Sequence, residues 1–269
     1  MNTSSFLALD RPGGAMSYEV SGHGPLVICI PGMADLRSSY RFLAPALVAA
    51  GYRVAIVDLR GHGDSATTFD RYDNTANAAD VAALIEHLGG SAVIIGNSMG
   101  AAISALVAAE RPDLVAGLVL IGPFVRNGRA SGVLKAVMTV ITSPPLVSFT
   151  WKSYLPTLYR GSRPDDFDEY RTAVTAGMAG RTRAISATMS TSHDDAEAAL
   201  PGVHTPVLVV MGELDPDFTS PSGEADWIVS RLGGTVVMVP DAAHYPHSQR
   251  PDLVVPAVTD FLATAARRA

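Results

Sequence analysis

The sequence predicts an α/β protein with a mostly parallel, doubly wound sheet and one helical insertion. Three observations predict it. Short apolar runs alternate with helix-period segments, several of those runs are apolar on both faces, and the rhythm breaks once, between about 123 and 200. Parallel strands read as unbroken apolar runs because helices cover both faces of their sheet.

The elements follow in order. Residues 6–9 and 16–20 flank Pro12-Gly13-Gly14, the signature of a hairpin. Strands are expected at 26–30, 52–57, 92–95, 117–121, 207–211 and 236–239. Helices are expected at 38–50, 75–88, 99–110, 221–231 and 251–266, amphipathic or buried. Residues 1–122 and 201–269 then form the core, and 123–200 an insertion that reads as a cap over the active site, with a peripheral helical decoration as the alternative. Within the cap, Ser143-Pro144-Pro145 and the aromatics Phe149, Trp151, Tyr154 and Tyr159 precede helical patterns at 165–178 and 181–193.

With 269 residues, of which 48% are hydrophobic, the chain can bury one full core. A formal net charge of −6 and the lack of basic runs argue against a nucleic-acid partner. Cys29 is the single cysteine, so no intrachain disulfide forms, and its apolar surroundings predict an inert buried thiol. Met1-Asn2-Thr3-Ser4-Ser5 has neither the charged nor the apolar region of a signal peptide, and no segment is apolar for a membrane span's length. The expectation is a cytoplasmic protein, monomer or homodimer, acting on a small molecule without membrane contact. Oligomeric state leaves no trace in the motifs.

The chemistry centres on Gly96-Asn97-Ser98-Met99-Gly100, placed between an apolar run and a small-residue helical run. A serine between glycines at a strand-to-helix turn is the nucleophile elbow. The turn strains the serine backbone, exposes its hydroxyl, and aims helix N-terminal N–H groups at developing negative charge.

A base should follow the last core strand. Of the seven histidines, His244 stands at the end of Pro240-Asp241-Ala242-Ala243-His244, with His247 its local rival. His62 lies in the tight turn Asp58-Leu59-Arg60-Gly61-His62-Gly63-Asp64-Ser65, which favours a structural role. His87 reads as a packing or surface residue, while His23, His193 and His204 carry no contextual signal. No pair of histidines has metal-ligand spacing beside a carboxylate, so no metal is expected. No cofactor is implied, because a triad with its oxyanion hole suffices for acyl transfer.

The acid must orient the base and stabilise its charged form. Gly212-Glu213-Leu214-Asp215-Pro216-Asp217 follows a strand end; Asp215 is the leading candidate, with Asp217 and Glu213 as alternatives. Oxyanion donors are expected at the Met99 N–H and at the Met33 N–H in the loop Pro31-Gly32-Met33. Phe124, Met138, Phe149, Trp151, Tyr154 and Tyr159 are candidates to line an apolar substrate pocket, although each also fits the cap's own core. Arg126 and Arg129 are better read as surface charges than as an anion site.

Taken in order, these motifs resemble the α/β-hydrolase superfamily, within it the capped, serine-dependent esterase and C–C hydrolase branch. The likeness runs from about Gly22 to Leu262. It is carried by Ile30-Pro31-Gly32-Met33, the 58–65 turn, the 96–100 elbow, Gly212-Glu213-Leu214-Asp215 and the segment from His244 to Pro251. The resemblance implies the order Ser98, Asp215, His244, an acyl-enzyme on Ser98, and hydrolysis of an ester or lactone. It also admits, as an alternative, a carbon–carbon bond hydrolase or a related cofactor-free enzyme on an aromatic-derived ketone, and less readily a ligand-binding receptor homologue. Two departures stand out: Pro31 replaces the histidine usual before Gly32, and Ala243 a common glycine. A serine elbow sets the chain apart from the aspartate-dependent dehalogenase and epoxide hydrolase branches.

Overall fold

A computed structural model describes residues 6–128 and 132–265, so Arg129 and the first five residues lie outside it. Eight strands form one sheet: β1 (Leu7–Arg11), β2 (Gly14–Ser21), β3 (Leu26–Ile30), β4 (Arg53–Val57), β5 (Ala92–Asn97), β6 (Val115–Ile121), β7 (Val207–Gly212) and β8 (Thr235–Val239). Their spatial order is β1-β2-β4-β3-β5-β6-β7-β8. The β1–β2 hairpin and the β2–β4 pair are antiparallel, and every later pair is parallel.

The helices are α1 (Leu43–Ala49), α2 (Asn74–Leu88), α3 (Met99–Glu110), α4 (Gly132–Ile141), α5 (Val147–Tyr154), α6 (Phe167–Gly177), α7 (Thr182–Met189), α8 (Asp194–Ala199), α9 (Pro221–Leu232), α10 (Pro246–Gln249) and α11 (Pro251–Ala265). None of the described helices is long and apolar enough to cross a membrane.

Alternate residues of one strand point to opposite faces. In β3, Ile28 and Ile30 join the core layer beneath α2, α3 and α9, while Val27 and Cys29 join the layer beneath α1 and α11. Both sets are fully buried, which is why the run reads as continuously apolar. Burial pushes the Cys29 thiol up, away from thiolate chemistry.

The expected helix at 38–50 divides into a 3-10 turn, Arg37–Tyr40, and α1. Pro45 explains the break. It has no N–H to complete a bond from the preceding turn, and is tolerated only near a helix start.

Among the described residues between β6 and β7 there are five α-helices, α4 to α8. Much of this insertion packs around its own apolar centre of Trp151, Leu155, Tyr159, Phe167 and Tyr170, which also takes in Ala34 and Tyr245 from loops at the sheet's carboxyl edge. The insertion is therefore seated on the two loops that follow β3 and β8. Its last helix differs: Ala196 belongs to the core layer beneath α3, so α8 already returns the chain to the sheet.

Candidate active site

The turn from β5 to α3 holds Ser98 at φ 56°, ψ −121°, a conformation that favours glycine. Its backbone is pinned from both sides. Ser98 N–H donates to Ile121 O at 2.9 Å, and Ser98 O accepts from Ala101 and Phe124 N–H. The flanking glycines are required by contact rather than by dihedral. A Cβ on Gly96 would stand 2.2 Å from Gly100 O, and one on Gly100 2.3 Å from Ile30 O.

His244 follows β8, its N–H bonded to Leu158 O at 3.0 Å, so the insertion itself fixes its backbone. The amide of Asn97, next to the candidate nucleophile, donates to His244 O at 3.2 Å and to Ile121 O at 3.0 Å. Gln249 holds the preceding residue through Ala243 N–H at 2.8 Å. His244 Nδ1 lies 2.8 Å from Asp215 Oδ2, with both side chains buried. A carboxylate only accepts, so the proton sits on Nδ1 and Nε2 is left as the basic nitrogen. Burial alone would pull the ring's pKa down; the Asp215 charge and hydrogen bond outweigh it and raise it to about 9.

Asp217 is the second carboxylate of the acid loop. It stands 3.7 Å from His244 Nδ1, donates its backbone N–H to Asp215 Oδ1 at 3.0 Å, and accepts from the Tyr154 hydroxyl. Burial raises its carboxyl. Glu213 is exposed and only its backbone is engaged, at Val239 O. Among the described residues, Asp215, Asp217 and His244 are the one His/Cys/Asp/Glu trio whose ligand atoms fall within 4.8 Å of one another. One carboxylate already holds the Nδ1 proton and the other the Tyr154 hydroxyl, a donor–acceptor chain rather than a set of converging lone pairs.

Ser98 and His244 line one cavity of about 410 Å³, together with Met33, Phe124, Trp151 and Tyr154. The Ser98 hydroxyl and the His244 imidazole share this cavity without a direct hydrogen bond between them. Met99 is the first residue of α3, so its N–H has no intrahelical acceptor. Met33 stands before Ala34, whose φ is 56° and whose N–H donates to His62 Nε2 at 2.9 Å. His62 Nδ1 in turn meets Arg60 O at 2.9 Å. Burial lowers His62 to about 4, so it stays neutral and joins the loop after β4 to the loop carrying Met33.

Three sequence expectations resolve differently, and the rival base His247 is set apart from the site. Tyr159 does not line the cavity; it is fully buried in the insertion's core, stacked on Tyr245 at 4.8 Å. Phe149 points outward at 74% exposure, while Met138 does reach the cavity. Arg126 is paired rather than solvated, bonded through two nitrogens to Glu224 and lying over Trp227. His247 faces Tyr40 with neither ring nitrogen hydrogen-bonded, and burial lowers it to about 3.

The cavity also takes in a histidine for which the sequence held no signal. His193 is buried against Phe124 and lines the site, its ring held by Asn74, 119 positions earlier in the chain. A larger surface groove of about 810 Å³, lined by residues such as Glu19, Arg37 and Asp64, contains none of these side chains.

The chain belongs to the alpha/beta hydrolase family, whose model matches residues 27–257. It is 29% identical over 263 residues to the 2-(acetamidomethylene)succinate hydrolase of Mesorhizobium japonicum, covering 92% of this chain and 91% of that one. It is 28% identical over 253 residues to the sn-1-specific diacylglycerol lipase ABHD11 of Mus musculus, covering 89% and 81%. Among solved structures, a thermophilic esterase from Thermogutta terrifontis superposes with a TM-score of 0.84 at 24% identity, over 97% of this chain and 99% of that one. The fold is that of the alpha/beta hydrolases, and the chain is a hydrolase.

Proposed function

We propose that this chain is a serine hydrolase of small to medium carboxylic esters or lactones with a mostly apolar acyl part. The observation that carries the reading is the 2.8 Å contact between Asp215 and His244 Nδ1, on a ring that shares its cavity with the strained Ser98. Asp217 is the less favoured acid, being farther from the ring at 3.7 Å and engaged by Tyr154.

In this mechanism Ser98 Oγ attacks the carbonyl carbon as its proton passes to His244 Nε2. Asp215 holds the tautomer and stabilises the imidazolium. The Met33 and Met99 N–H groups bind the oxyanion, which collapses as the C–O bond breaks, and His244 protonates the departing alkoxide. Water then attacks the acyl-enzyme, giving its proton to His244. Collapse of the second intermediate frees the acid and returns that proton to Ser98.

Residues 123–200 act as the cap in this reading, and 1–122 with 201–269 as the catalytic core. Phe124, Trp151 and Tyr154 supply apolar and aromatic surface for the acyl chain. The test is a panel of activated esters, lactones and vinylogous diketones with wild type and Ser98→Ala. Ester or lactone turnover lost in Ser98→Ala supports the reading. Turnover of the diketones alone would move the chain to the carbon–carbon bond hydrolases.

A further inference from the structure

The cavity holds a second histidine that the acyl-transfer mechanism does not use. His193 is 5% exposed, and its position is set by residues distant in sequence. Its backbone N–H donates to Asn127 Oδ1 at 2.9 Å, and its Nδ1 lies 3.1 Å from the Asn74 amide nitrogen. Asn74 is itself fully buried at the start of α2.

The neighbours of Asn74 determine which end of its amide faces the ring. Its nitrogen stands 3.0 Å from Ser192 O and 3.2 Å from Asp195 Oδ1, both acceptors. Reversing the amide would set its oxygen against two acceptors. The NH₂ end therefore faces His193, and Nδ1 must be the unprotonated nitrogen, which leaves the ring proton on Nε2. Burial lowers the pKa of this ring, against the pull of Asp195 and Asp194, which favours its neutral form. Nε2 makes no hydrogen bond to a described residue and is not among the buried unpartnered atoms, and the His193 side chain lines the cavity. The ring thus offers an N–H donor beside Phe124, a ring that His244 also neighbours, with centres 6.0 Å and 5.8 Å from that of Phe124.

We propose that His193 Nε2–H donates a hydrogen bond to a second, uncharged carbonyl oxygen of the substrate, so that the enzyme favours oxo-acyl esters or lactones over plain alkyl ones. This rests on Ser98 being the nucleophile that takes the acyl group. An uncharged acceptor fits better than a carboxylate. The described lining contains no lysine or arginine, and Asp217 already contributes an acid to it. A donor left unpaired by an alkyl chain is the stronger form of discrimination, because its desolvation goes uncompensated.

The test compares p-nitrophenyl 4-oxopentanoate with p-nitrophenyl pentanoate, esters of equal chain length, after subtraction of the uncatalysed rates. Wild type should favour the oxo ester by about tenfold in kcat/KM, the effect of one such hydrogen bond. His193→Leu should lose most of that ratio, and His193→Gln, which keeps a donor near the same place, should retain part of it. A ratio unchanged in His193→Leu would overturn the proposal. A second readout needs neither turnover nor a folded His193 variant: ¹⁵N spectra of Ser98→Ala titrated with the oxo ester. The His193 signals should report a neutral ring protonated at Nε2 that shifts on binding. A proton on Nδ1, or no shift at saturation, would overturn it. If wild type hydrolyses neither ester, the proposal falls together with the hydrolytic reading of Ser98; if it hydrolyses both at equal rates, that reading stands and the role of His193 alone falls.

Discussion

The backbone N–H of Ala34 donates to Nε2 of His62 at 2.9 Å, so a side chain from the loop after β4 braces the turn that carries Met33. Family enzymes place a histidine within that turn itself, where this chain has Pro31. The brace therefore reaches the same loop from another strand end. Because Ala34 sits at φ 56°, the contact holds backbone that would otherwise relax.

Replacing His62 with leucine leaves the Ala34 N–H buried and unpaired, a loss of about 1–3 kcal/mol. The urea midpoint should fall accordingly. If Met33 N–H is an oxyanion donor, kcat should drop with little change in KM, because only the transition state uses it. A variant that loses stability but keeps wild-type kcat would remove Met33 from the oxyanion site.

The two acid-loop carboxylates should part in both rate and pH dependence. Asp215→Asn should lower kcat by roughly 10³–10⁴, the loss expected when the base takes the wrong tautomer. Asp217→Asn, which leaves the 2.8 Å pair intact, should cost far less. In the proposed mechanism His244 reacts unprotonated, so its raised pKa should move the rising limb of kcat/KM to higher pH, towards 9. Removing the Asp215 charge lets burial dominate, so residual activity in Asp215→Asn should have its limb shifted to lower pH. Rate profiles of the two variants check both statements.

Ser98 holds a backbone conformation that suits glycine. Glycine normally destabilises relative to alanine by roughly 0.5–1 kcal/mol, but the strain of such a site is about 1–3 kcal/mol. Ser98→Gly should therefore be at least as stable as Ser98→Ala, reversing the usual order, while both are inactive. Urea titration of the pair decides it.

Acid should unfold the protein through its buried neutral histidines. His247 and His62 titrate near 3 and 4 when folded, well below the ordinary value of about 6.5. The unfolded chain then binds more protons than the folded one below pH 6.5, so stability falls as pH drops from there towards 4. His244 has the opposite sign: its contribution is complete below pH 6.5 and is lost only as pH rises through about 9. His247→Phe should flatten the decline between pH 6.5 and 5, measured as urea midpoint against pH.

How much was legible in the sequence depended on the range of the interactions. Ser98 could be read because a strand, a turn and a helix lie within fifteen residues of it. His244 and Asp215 followed because residues just beyond parallel strands gather at one sheet edge. His193 could not be found that way. Its tautomer depends on Asn74, and neither residue's local pattern refers to the other. Tyr154 and Tyr159 looked equivalent as pocket aromatics, yet the 3-10 turn after α5 carries one to the cavity and the other into the insertion's core. The break at Pro45 needed no tertiary information; periodicity simply outweighed a proline that was in plain view.

The most direct test of the central claim, that Asp215 and His244 activate Ser98, is labelling with a fluorophosphonate followed by intact mass. The account predicts one adduct per wild-type chain, none on Ser98→Ala, and much slower labelling of Asp215→Asn. A folded wild-type protein that takes no label, or a Ser98→Ala protein that labels equally well, would contradict it.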